Sequence, residues 1–164
     1  MFRQKTFSLK TGDDNMSDTT NNQKIFSRES IRLGLPSTDK YTAIRQTGDL
    51  LVEQGSVTPA YIDSMIDREK EVSIYMGSGL ALPHCTNEGR VHILKSGLVV
   101  MQYPEGIDFG GEKAYILVGI AGAGDDHLDI LSNVATTFME CGEDVLHKLF
   151  TTDDVEFVYN LIAP

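Results

Sequence analysis

Two of the four histidines stand where a ligand would meet an α/β fold. His84 follows the short apolar run Leu80-Ala81-Leu82 and Pro83, at an expected strand end, and His127 opens an expected helix after an apolar strand and a glycine-rich turn. Ligands of open α/β sheets gather where strand ends meet helix N-termini. A neutral imidazole, with a reference pKa of about 6.5, carries a lone pair that can accept a phosphoryl group directly. The group in flight spreads its charge over equatorial oxygens, which a guanidinium and an imidazole N–H suit as donors. Arg68 supplies the guanidinium from the short helical segment ahead of His84. By position alone, plain structural or surface roles are favoured for both histidines, and a solvated helix terminus for Arg68. His92, opening an expected strand, and His147, beside Lys148 on a short helix, have nothing converging on them and are assigned to the surface.

Other chemistries fit less well. Gly119-Ile120-Ala121-Gly122-Ala123-Gly124 is spaced G-x-x-G-x-G rather than as the dinucleotide fingerprint, and Asp125 and Asp126 would oppose a pyrophosphate. They suit the helix dipole as caps. No cofactor is expected. A zinc site from His84, Cys85 and His127 lacks the paired spacing of structural zinc, so no metal is expected either. Cys85 beside a histidine suggests a thiol nucleophile, but no C-x-x-C or cysteine-protease signature accompanies it. Cys85 and Cys141 read as free thiols.

The positioning elements can be followed along the chain. After a strand near Ile31 to Leu33, Ser37 stands as a cap before the stripe Tyr41, Ile44, Gly48, Leu51 and Val52, which Gly55 ends. Thr58 and Pro59 open a second helix with Tyr61, Ile62, Met65 and Ile66 inward, running into the charges Asp67 to Glu71. Gly97 to Tyr103 and Tyr115 to Ala121 read as strands buried on both faces. Asp125 or Asp126 caps a helix with an apolar stripe of Leu128, Leu131, Val134, Ala135, Phe138 and Met139, and helices follow over 143–150 and 153–162. Helices alternating with buried strands define an α/β sandwich on one central sheet. Residues 1–24 are polar and expected to form a mobile tail or leader, with Met16 as an alternative start, and 25–164 form the single domain.

The chain of 164 residues is 41% apolar, and 14 Lys and Arg against 24 Asp and Glu give a net charge of −10. That balance disfavours nucleic acid and suits a basic-faced protein partner. No apolar run reaches the ~20 residues of a membrane span, so no direct membrane insertion is expected. The basic start lacks the apolar stretch of a secretory signal, which points to the cytoplasm.

Three separated blocks carry a family resemblance: MIDREKEVSIYMGSGLALPH ending at His84, SGLVVMQYPEGIDFGG from Ser96, and ILVGIAGAGDDHLDILS containing His127. The chain resembles the mannitol-class enzyme IIA of the phosphoenolpyruvate-dependent sugar phosphotransferase system, from about Ile25 to Ile162. The resemblance implies a mixed β-sheet flanked by helices on both faces. It implies that His84 is phosphorylated, that Arg68 neutralises the phosphoryl group, and that His127 donates a hydrogen bond to it. The three should then converge on a shallow depression rimmed by apolar residues. The small carrier protein HPr would be the donor, and a cysteine on the enzyme IIB domain of the mannitol transporter the acceptor. A fructose-specific or nitrogen-regulatory relative is the alternative. Cys85 departs from the family's usual glycine, and a side chain there is expected either to crowd the phosphoryl pocket or to alter donation by its backbone N–H, so that its oxidation or alkylation would slow transfer.

Overall fold

A computed structural model describes residues 25–163, and the expected tail lies outside them. Five strands form one mixed sheet: β1 (Ile31–Arg32), β2 (Tyr75–Gly77), β3 (Leu80–Ala81), β4 (Gly97–Asp108) and β5 (Lys113–Ala121), in the order β1-β4-β5-β3-β2. β4 and β5 are antiparallel, β3 runs parallel to β5, and β1 runs parallel to β4. The described helices are α1 (Lys40–Glu53), α2 (Tyr61–Glu71), α3 (Asp126–Glu140), α4 (Glu143–Thr151) and α5 (Val155–Ile162).

Both sheet faces are covered because the central stretches of β4, Leu98 to Met101, and of β5, Ile116 to Ala121, carry no polar side chain at alternate positions. Val99, Met101, Tyr103 and Leu117 point to one face, against Ile44 and Leu51 of α1 and Tyr61 and Met65 of α2. Leu98, Val100, Ile116, Val118 and Ile120 point to the other, against Val134 and Phe138 of α3, Leu149 of α4 and Val158 of α5. The expected sandwich of one mixed sheet between two helical layers is the observed fold.

Several boundaries differ from expectation, each for a local reason. Asp39, not Ser37, caps α1, its carboxylate accepting the Thr42 backbone N–H at 2.9 Å and hydroxyl at 2.7 Å. Ser37 instead donates to the Gly106 carbonyl, and α1 ends as expected before Gly55 at φ +79°. Thr58 and Pro59 form a turn whose carbonyls accept from Tyr61 and Ile62, which delays α2 to Tyr61. β4 continues past Tyr103 to Asp108, its register with β5 breaking between Gln102 and Ile107, where Pro104 has no N–H for the ladder. β2, unanticipated, pairs antiparallel with β3. His92 does not open a strand but closes a 3₁₀ turn over Glu88–His92.

The stripe of α3 is narrower than expected. Val134 and Phe138 are buried, with Ile130 and Leu131 packed beside them, while Leu128 and Met139 are 71% and 83% exposed. At ~100° per residue, a line through 130, 134 and 138 places both on the outer side.

Candidate active site

His84 is held from both sides by the sheet. The Leu82 N–H donates to the Ile74 carbonyl and the Ile120 N–H to the Pro83 carbonyl, each at 3.0 Å, so the backbone entering His84 is fixed. The Nδ1–H of His84 donates to the Leu82 carbonyl at 2.6 Å. That bond selects the tautomer and leaves Nε2 with a free lone pair. Burial lowers the pKa of the half-buried ring; the Leu82 hydrogen bond opposes this, and the charges of Arg68 and His127 add to the lowering. His84 is therefore a neutral imidazole at neutral pH.

Arg68 stands in the last turn of α2, where its guanidinium donates to the Val72 carbonyl at 2.6 Å. Among the described residues it forms no ion pair. Arg68 and His84 together line an open depression of about 340 Å³, whose apolar wall is Ile74, Met76, Leu82, Leu131 and Ala135 and whose other polar residues are Ser73 and Ser132. The two serines are silent in the sequence because a lone serine carries no spacing signal.

His127 flanks the ring of His84 with centroids 5.5 Å apart, but it does not line that depression. The convergence anticipated for three residues holds for Arg68 and His84, with His127 at the side of the imidazole. Its approach requires Gly122, where a Cβ would lie 2.3 Å from the His127 Cα. Ser96 pins the same turn, accepting the Ala123 N–H at 2.9 Å and donating to the Asp126 carboxylate at 2.6 Å. Neither aspartate caps α3 through its side chain. Arg90, unnoticed in the sequence, donates to the Gly124 carbonyl at 2.7 Å. Burial, and then the charge of Arg90, lower the pKa of His127.

Cys85 does not crowd the depression. It has no positive φ, and its side chain is buried in the core cluster of Tyr61, Met65 and Leu117. Burial raises its thiol pKa, which opposes reactivity. The crowding expected of a side chain after His84 is thus corrected: the sulfur faces inward. Cys85 and Cys141 are free thiols. Among the described residues, no group of three or more His, Cys, Asp or Glu side chains is arranged to hold a metal ion.

A fixed neutral imidazole and a guanidinium with no ion pair among the described residues, sharing an open depression with an apolar wall, suit a protein that receives an anionic group. Residues 24–164 match the family model for the phosphoenolpyruvate-dependent sugar phosphotransferase system, EIIA 2. The chain belongs to that family. It is 46% identical over 137 residues to a mannitol-specific phosphotransferase enzyme IIA component of Staphylococcus aureus, covering 83% of this chain and 95% of that protein. The fold matches the crystal structure of IIA mannitol from Escherichia coli with a TM-score of 0.78 and 37% identity, over 84% of this chain and 99% of that one. It also matches the complex of enzyme IIAMtl with phosphorylated enzyme IIBMtl from Escherichia coli, with a TM-score of 0.77, 35% identity, and coverage of 85% and 96%.

Proposed function

We propose that this chain is the enzyme IIA phosphotransferase of a mannitol system, accepting a phosphoryl group from phospho-HPr on His84 and passing it to the cysteine of an enzyme IIB domain. The observation that carries this is the His84 ring itself, neutral, tethered through Nδ1 to the Leu82 carbonyl and open to the depression it shares with Arg68.

In the first half-reaction the Nε2 lone pair attacks phosphorus and the bond to HPr breaks. Positive charge develops on the ring, and the Leu82 carbonyl, already accepting the Nδ1–H, stabilises it without moving a proton. Arg68, with no carboxylate partner among the described residues, faces the negative charge on the phosphoryl oxygens, and His127 donates an N–H from the flank. In the second half-reaction the IIB thiolate attacks phosphorus, and His84 leaves as the same neutral tautomer. Exposed apolar side chains near the site, Val72 at 65% and Met76 at 54%, together with Leu128 beside His127, suit transient docking of both partners. The work is assigned to the cytoplasm. No described helix is long and apolar enough to cross a membrane.

The test is reconstitution: enzyme I, HPr, phosphoenolpyruvate and mannitol-transporter vesicles lacking their own IIA domain, with and without this protein. Mannitol phosphate should form only when the protein is added. Formation of fructose phosphate alone, with fructose-transporter vesicles, would move the assignment to the fructose relatives.

A further inference from the structure

Arg68 and His84 come from different segments, the end of α2 and the loop after β3, and one buried side chain is bonded to the backbone that joins them. Glu69, its side chain 2% exposed, accepts the Ile74 N–H on Oε1 at 2.7 Å and the Lys40 ammonium on Oε2 at 3.0 Å. Ile74 carries the restraint onward: its carbonyl accepts the Leu82 N–H at 3.0 Å, and the Leu82 carbonyl accepts the His84 Nδ1–H at 2.6 Å. Three hydrogen bonds thus step from the carboxylate beside Arg68 in the chain to the imidazole.

We infer that Glu69 is a positioning residue for phosphoryl transfer, holding His84 in its Nδ1–H tautomer and in register with Arg68. Adjacent residues of a helix point about 100° apart, so Glu69 turns to the core while Arg68 turns to the depression. Here both oxygens are engaged elsewhere, Lys40 balances the charge, and the guanidinium of Arg68 bonds to a neutral carbonyl. The pair Lys40–Glu69 therefore orders the site without quenching its cation. This inference rests on His84 being the phosphoryl acceptor.

The experiment compares wild type with Glu69→Gln, Glu69→Asp and the double variant K40M/E69M. Glutamine keeps a carbonyl oxygen for Ile74. Aspartate is too short to reach both partners. The double variant removes the acceptor without leaving an orphaned buried charge. Each folded variant is read by the side-chain ¹⁵N spectrum of His84 and by the rate of phosphorylation from phospho-HPr at saturating donor. Glu69→Gln should keep the Nδ1–H tautomer and a rate close to wild type. The other two should populate both tautomers and slow by about 10- to 100-fold, the cost of a misplaced reacting group. Glu69→Asp carries the same decision if the double variant does not fold. Wild-type tautomer and rate in a folded Asp or double variant, or a Gln variant as slow as they are, would overturn the inference while leaving the acceptor assignment intact. No phosphorylation of wild type would overturn both.

Discussion

Replacing Arg68 with methionine removes the one cation that, among the described residues, lines the depression with His84, while keeping the aliphatic stem. The guanidinium has no carboxylate partner among the described residues, so its field is spent on whatever anion enters. Two unit charges ~4 Å apart interact by about 1 kcal/mol in water and about 4 kcal/mol at the effective dielectric of a partly buried site. Because the depression is open yet walled by Ile74, Met76, Leu82, Leu131 and Ala135, an intermediate figure of about 2–4 kcal/mol applies. That converts to a rate loss of about 30- to 1000-fold. Rapid-quench mixing with phospho-HPr, read by intact mass, measures it directly. Arg68→Lys should recover only part of the loss, because one ammonium must serve both the Val72 carbonyl and the phosphoryl group. The same R68M protein should show His84 titrating higher than in wild type, since Arg68 is one of the charges that lower its pKa, while burial still holds it down. An R68M rate within about threefold of wild type would refute the electrostatic role, being under 1 kcal/mol of barrier.

Other outcomes follow from the same geometry. His84 and His127 both have lowered pKa values, so each should titrate below about 6.5 in the native protein by NMR; His84 titrating above that value would contradict the site. An unfolded chain binds those protons before the folded one does, so the melting temperature should fall as pH drops from about 6.5 through the lowered native values, and transfer should weaken over the same range. Gly122→Ala places a Cβ against the backbone of His127, so it should cost about 1–3 kcal/mol of stability and slow transfer; wild-type melting would show that α3 gives way freely. With iodoacetamide, Cys141 should be labelled in the native protein and Cys85 only after unfolding, because Cys85 is buried; rapid native labelling of Cys85 with loss of phosphoacceptance would restore the idea that it faces the phosphoryl pocket.

What was legible in the sequence was whatever repeats or punctuates. The continuous apolar runs of β4 and β5 announced a sheet covered on both faces, and Gly55 announced the end of α1. Long-range partners left no such signal. Asp39 outcompetes Ser37 as a cap because it directly precedes the first turn of the helix, and Ser37 is drawn instead to Gly106, far away in sequence. β2 is three residues long and stands only because β3 lies beside it. At the site, His84, His127 and Arg68 were visible as residue types at suggestive positions, with their roles implied by the family's blocks. The inward turn of Cys85, the tether from Arg90 to Gly124 and the buried pairing of Glu69 depend on side-chain direction, which neighbouring positions in a sequence do not encode.

The central claim is that His84 takes the phosphoryl group. Incubation with phosphoenolpyruvate, enzyme I and HPr, followed by intact mass of wild type and His84→Ala, tests it most directly. The account predicts one acid-labile phosphoryl adduct on wild type and none on the variant. An adduct that persists on His84→Ala, or none on wild type, would contradict it.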